Sequence, residues 1–337
     1  MPDPSPVLEY AEQARARLLS GERSRAARLI NIYGQAYQRL QAHVERLQSK
    51  MIAESETGQL TKRQIQGMDA YKELLRQIKV EIDRFGQYAG EEMSQAARDA
   101  IENAQRDALR EIQLSLPRLA EGIRKAWRIL PAQAVETLLG MTEPGSPLRD
   151  NMEIELGPGV AEQVSDRLLE NVALGKNPRT TAAAVRREMG VGLTWALRTF
   201  RTAQLWSYRV AKHSAWAENP RLYKGWVWHA KLDSSTCAAC ITLNGTRHGP
   251  DEILNDHHNG RCSPLPITPT YSELLGVDIE GDVPPALQIP SGADWFDKQS
   301  ASVQREILGK AGYRAWRDEA FSYRTWWANT MTAFMVQ

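Results

Sequence analysis

The sequence of 337 residues holds only three cysteines, Cys237, Cys240 and Cys262. An odd, sparse set confined to one window excludes the disulfide framework of a small secreted domain. A metal site in a reducing compartment explains the clustering better. Neither sign of charge is in excess: 42 basic residues face 41 acidic ones, a formal net charge of +1, which argues against a dedicated histone-like DNA binder. No run of 18 uncharged apolar residues occurs, so no membrane span is expected. The opening MPDPSPVLEYAEQARARLL has neither the basic nor the apolar region of a secretory signal, and a chain that stays in the compartment of its synthesis is expected. Catalytic signatures are missing as well: HExxH, GxxxxGKS/T, GxSxG and GxGxxG are absent. The zinc-deaminase pattern HxE…PCxxC fails at the knuckle, since Thr236 and not proline precedes Cys237.

What is present has two grammars. From Leu8 to Leu130 the chain reads as helix. Ile30, Tyr33, Tyr37, Leu40, Val44, Leu47 and Met51 recur at 3–4 spacing, the seam of a coiled-coil-like helix. Glu54–Gly58 interrupts it, Thr61 and Gln64 form a capping box, and a second seam follows at Met68, Tyr71, Leu75, Ile78, Ile82 and Phe85. Two such helices predict an antiparallel hairpin or bundle, with arms roughly 40 Å long at about 1.5 Å per residue. A third helix is predicted from Met93 to Leu130, kinked at Pro117. Either the seams pack against one another, or positions such as Tyr37, Leu40 and Val44 dock onto a partner protein.

Pro131 and the segment from Gly140 to Asn151 read as the hinge between halves. Helices are predicted around Val160–Val172, ended by Gly175 and Pro178, and then over Thr181–Met189 and Thr194–Ala217. Nine of the ten tryptophans lie beyond residue 190, where large rings most often build core. Trp226, Trp228, Ala230 and Leu232 alternate in strand fashion, and Asn244-Gly245 signals a hairpin. Charge is segregated: Lys176–Lys212 carries eight basic residues against one acid, and Ser263–Asp297 carries six acids and no base. These faces meet each other or solvent, or the basic one contacts nucleic acid. The fold class expected is α+β: a long helical N-terminal half followed by a mixed domain with a small zinc-stapled β unit.

That staple is the one constellation carrying chemistry. Cys237 and Cys240 form a CxxC knuckle, and His257 or His258 followed by Cys262 supplies a second pair. Three thiolates and one imidazole make a closed tetrahedral structural zinc site with no position left for a catalytic water. A redox role for CxxC needs a βαβ context, and three buried thiols beside exposed histidines is the plainest alternative. His43, His213, His229 and His248 show no comparable pairing. Asp256-His257-His258-Asn259 also looks like the core of an HNH-type, metal-dependent nuclease, in which a histidine activates water. Such a fold requires a further histidine well downstream, and none follows His258.

The second half resembles the phage Mu F-like, or phage head morphogenesis, family of minor head proteins. The resemblance rests on Arg201-Thr202, Trp228, Asp233, Thr236-Cys237-x-x-Cys240, Leu243-Asn244-Gly245 and His257-His258-Asn259-Gly260-Arg261-Cys262. Asp294-Trp295-Phe296, Gln304-Arg305 and Leu308-Gly309 extend it, so that it covers about residues 150–315. Ser235 stands where the family usually has Arg, Gly260 where it has a cysteine, and Ala203-Gln204 where a Glu often follows Arg-Thr. The resemblance implies Cys237, Cys240, His257 and Cys262 as the ligands. It implies a structural, non-enzymatic virion component of a tailed bacteriophage, met in the host cytoplasm during assembly. Partners would be the portal protein, other head proteins and packaged DNA, with no membrane involved. The division expected is a helical docking arm over 1–139, the head-morphogenesis domain over 150–315 and a C-terminal helical tail over 316–337.

Overall fold

The computed structural model of the chain describes residues 5–54, 61–142, 146, 158–174, 176, 178–257, 259–282, 287 and 289–318. It is mostly helical, with a small sheet late in the sequence. In order come α1 (Pro6–Glu54), α2 (Lys62–Gly67), α3 (Asp69–Ser115), α4 (Ala120–Ala126), α5 (Ala132–Gly140), α6 (Pro158–Ala173) and α7 (Pro178–Ala217). Then follow β1 (Gly225–His229), α8 (Ala238–Leu243), β2 (Arg247–His248), β3 (Ser263–Ile267), α9 (Tyr271–Leu275), α10 (Gly292–Asp297) and α11 (Ala301–Arg317). The chain divides into two compact units. One comprises Met1–Leu18, Ile101–Ala132 and Tyr208–Gln337, the other Leu19–Ala100 and Gln133–Ser207.

The second of these units is a helical bundle. Arg39 of α1 pairs with Glu81 of α3, and Arg25 with Glu92 and Asp99; rising numbers on one helix meet falling numbers on the other, so the two run antiparallel. The seam packs inward: Tyr33, Leu40, Val44 and Leu47 are buried against Tyr71, Ile78, Ile82 and Phe85. Burying a leucine-sized side chain is worth about 1.5–3 kcal/mol, which these side chains gain inside their own core. Leu40 and Val44 are therefore not a free docking surface. Ile30 departs from the expected seam and is exposed; Leu29 takes its place in the core. The capping box forms as predicted, with Thr61 Oγ1 accepting from Gln64 N and Gln64 Oε1 accepting from Thr61 N.

Two predicted breaks are absent. The helix expected to begin near Met93 is the continuation of α3, which ends only at Ser115, two residues before Pro117. Likewise the stretch from 178 to 217 is one helix of 40 residues, despite Gly190 and Gly192. Each glycine costs about 1 kcal/mol in a helix interior, but Val185, Met189, Ala196, Phe200 and Ala203 are buried on one face across the gap. At Gly192 a Cβ would stand 2.7 Å from Val160 of α6, so the missing side chain is what permits these helices to touch. The predicted hinge lies mainly outside the described residues, as do Gly175 and the tail from 319 onward with Trp326, Trp327 and Phe334.

The other unit holds the sheet, ordered β2-β1-β3 and antiparallel throughout. All five residues of β1 are buried, so its alternation separates two covered faces rather than core from solvent. β3 reads SPLPI and gives no strand signal in sequence. Its prolines oppose Trp226 and Trp228, and the N–H of Trp228 is turned toward the opposite neighbour, donating to Thr246 O at 2.9 Å. At such positions an edge strand does without the proline N–H. Asn244-Gly245 is not a two-strand hairpin. It ends α8, and Asn244 Oδ1 accepts from Ala230 N while its Nδ2 donates to Pro290 O, both at 2.8 Å.

Behind β1, His213 of α7 lies among Trp216, Trp226 and Tyr223. Its Nε2 accepts from Leu254 N at 3.3 Å. Burial, with Lys212 next to it, pushes its pKa down to about 3. The folded state thus keeps this ring neutral while the unfolded chain protonates it below about pH 6.5. Stability falls as pH drops through that window, by up to about 1.4 kcal/mol per pH unit from this group alone. His213→Asn is expected to flatten the loss between pH 6.5 and 5, measured by urea titrations at both values. A slope equal to wild type would show that the ring already titrates normally when folded.

Candidate metal centre

Cys237 is the N-cap of α8, and its Sγ accepts from Cys240 N at 3.4 Å. The preceding turn fixes its direction: Asp233 N donates to Thr236 Oγ1 at 2.9 Å, and Asp233 Oδ1 accepts from Ser235 N at 3.0 Å. Arg261 grips the same carboxylate with both terminal nitrogens, at 2.7 and 2.6 Å, clipping the second segment to the first. Arg261 and Lys231 together hold Asp233 well below the usual carboxylate range despite its partial burial.

Sequence-distant donors converge on this point. His257 Nε2 lies 3.1 Å from Cys237 Sγ and 3.5 Å from Cys240 Sγ. Cys240 and Cys262 form a second group with Asp256, whose ligand atoms lie within 4.8 Å of one another. The four residues named from sequence therefore surround one small cleft of about 30 Å³, lined also by Lys231, Asn259 and Arg261. Cys240 and Cys262 are buried, Cys237 is half-buried and His257 is exposed. His258 lies outside the described residues.

Protonation is coupled across the cluster. A hydrogen bond from the Cys240 thiol brings Cys237 down to about 5 against its own burial, with His257 assisting. Hydrogen bonding with Cys237 and Cys262, together with burial, drives Cys240 far the other way. Packed this closely and without a cation, the thiols share protons rather than ionise together. A soft divalent ion removes that conflict, since thiolate and imidazole are the donors it favours. The donor set fits zinc in a closed structural site.

In sequence Asp256 belongs only to an HNH-like string and Arg209 only to a basic run; the fold gives both a place at this centre. Asp256 Oδ1 accepts from His257 N at 2.9 Å and from the Cys240 thiol at 3.4 Å, and Oδ2 accepts from Cys262 N at 3.1 Å. The carboxylate lies where a Cβ on Gly260 would be, 2.1 Å from its ideal position, so no larger residue fits at 260 without moving Asp256. Arg209, buried on α7, donates to Asp256 Oδ2 and Cys262 O at 2.8 Å and to Gly260 O at 2.7 Å. Three residues of the ligand loop, Asp256, Gly260 and Cys262, hang on this guanidinium. In sequence it was one more base in a basic run; only the fold shows it facing inward.

The rest of that run divides in two. Lys212 is buried against Glu111 at 2.7 Å and so is withdrawn from the surface, and half-buried Arg201 is held by buried Glu22. Arg186, Arg187 and Arg198 are exposed. The nuclease reading is weakened in the same way, because His257 faces the thiols and Asp256 is tied to Arg209.

The elements follow in a fixed order: a long helix carrying Arg-Thr, a tryptophan strand, a capped CxxC turn and a returning His…Cys loop. Residues 162–266 match the family of phage Mu protein F like proteins. The matched stretch contains all four candidate ligands together with Asp256 and Arg209. The Mu F-like family is one of phage head morphogenesis. No curated protein and no solved structure matches the chain. Among the described residues no helix is long and apolar enough to cross a membrane.

Proposed function

We propose that this chain is a structural minor head protein of a tailed bacteriophage. It acts in head morphogenesis beside the portal, and the Mu F-like domain is closed by one zinc ion on Cys237, Cys240, His257 and Cys262. The observation that carries the reading is the convergence of three thiols and an imidazole from two separate segments of the chain, inside the stretch matching a head morphogenesis family. A closed four-ligand site cross-links backbone and leaves no open coordination position. Its chemistry is therefore structural, consistent with a protein that assembles rather than turns over substrate. The helical segment 1–139 would present the docking surface through exposed positions such as Ile30, not through the buried seam. Residues 150–315 would form the head domain and 316–337 a C-terminal tail. Packaged DNA would be met by the exposed arginines of α7.

Two measurements test this. Mass spectrometry on chain purified without chelator is expected to find one zinc per chain. Co-expressed with the head proteins of its phage, the chain is expected to co-sediment with portal-containing particles and to be missing from portal-less ones. Sedimentation that ignores the portal would overturn the placement, and a metal-free chain would overturn the staple.

A further inference from the structure

Resting on that metal reading, we infer that Arg209 and Asp256 are a positioning pair for the metal centre, so that the hold on the ion depends on a residue of α7 that never touches it. Asp256 sits at the hub of the loop. Its two oxygens accept from the backbone N–H groups of His257 and Cys262, so one carboxylate sets the backbone of two of the four donors. A carboxylate side chain 1% exposed beside thiolates is an unfavourable neighbour for negative charge. Arg209 answers this directly: its side chain, 5% exposed, lies 2.8 Å from Asp256 Oδ2. The same guanidinium takes up the carbonyls of Gly260 and Cys262, two backbone acceptors that would otherwise be buried without these partners.

The planar fork matters as much as the charge. Nε reaches one carbonyl while one terminal nitrogen serves both the carboxylate and the other carbonyl. An ammonium is a point donor without that geometry. Outer-sphere partners that orient ligands are worth about 10–100-fold in metal affinity when removed. Arg209→Met is thus expected to weaken zinc binding by about that factor, and Arg209→Lys to recover part of it.

A structural effect must be separated from a positioning one. Glu111→Gln supplies the control: it disturbs another buried ion pair of the same unit, whose Lys212 donates to Pro264 O of β3 but to none of the four ligands. The full chain is loaded with zinc, and affinity is read by competition with a chromophoric chelator, with cobalt absorption reporting the thiolate set. Weakened zinc binding in both Arg209 variants and in Asp256→Asn, with Glu111→Gln at the wild-type value, would establish the pair. Wild-type affinity in folded Arg209→Lys and Asp256→Asn, or equal loss in Glu111→Gln, would overturn it. Wild-type chain that takes up no zinc would instead fail the metal reading itself. Should Arg209→Met not fold, the other two variants decide.

Discussion

Cys262→Ser is expected to empty the metal centre and unfold the loop from residue 249 to β3. Cys262 immediately precedes β3, so an ion held there would bolt the edge strand to the CxxC turn that follows β1. Loss of one thiolate from a four-donor site removes most of the affinity, and binding energy of this kind is folding energy. For isolated zinc peptides it reaches about 10–16 kcal/mol. The loss here should be smaller, because Trp216, Trp226 and Leu265 already give this unit a core. Metal content by mass spectrometry should fall from one zinc to none, and the thermal transition should drop together with it. Retention of zinc would show that Asp256, already within reach of Cys240, takes the vacated position.

The second large effect lies away from the metal. Lys212 of α7 is 1% exposed, donating to Glu111 of α3 at 2.7 Å and to Pro264 O at 3.0 Å, with its ammonium above the Trp216 ring. Burial raises the Glu111 carboxyl to about 7, although Lys212 pulls the other way. Lys212→Met leaves that carboxyl alone in the core, and breaking a buried pair from one side costs about 3–5 kcal/mol. The sign with pH follows from the raised value. Without Lys212 the folded state prefers the protonated acid even more strongly, so stability is kept at about pH 4.5 and lost as pH rises through neutrality. Urea titrations of variant against wild type should differ least near pH 5 and most above pH 8. Lys212→Met with Glu111→Leu should recover most of the loss, since a packed apolar pair can replace a buried ionic one. A pH-independent difference would mean that Glu111 finds another cation.

Much of this is readable from residue order. The 3–4 spacing of Tyr33, Leu40, Val44 and Leu47 anticipates their burial, and the Thr61–Gln64 box forms where spacing puts it. Errors came where local signals were outweighed. Glycines at 190 and 192 read as a break, yet the packing of α7 against α6 carries the helix through. Asn244-Gly245 reads as a hairpin, but the six residues after Cys237 close into a helix that needs a cap at that point. SPLPI carries no strand signal, because prolines are barred from a central strand, yet an edge tolerates them.

By itself the sequence determined the helical first half, the likeness of part of its second half to the Mu F-like family, and the thiols and histidine that gather at one cleft. Periodicity and ligand spacing are local, and locality survives in one dimension. Only the tertiary structure decided which charges are internal. Arg209, Lys212, Arg186 and Arg198 are alike in the string, yet the first two meet Asp256 and Glu111 from residues 47 and 101 positions away, and the others face solvent. It also decided that Leu8 and Ala11, at the start of α1, pack against Leu265 of the last strand. The physical reason is the same in each case. Desolvation and pairing depend on what stands opposite a side chain, and that neighbour is chosen by the fold.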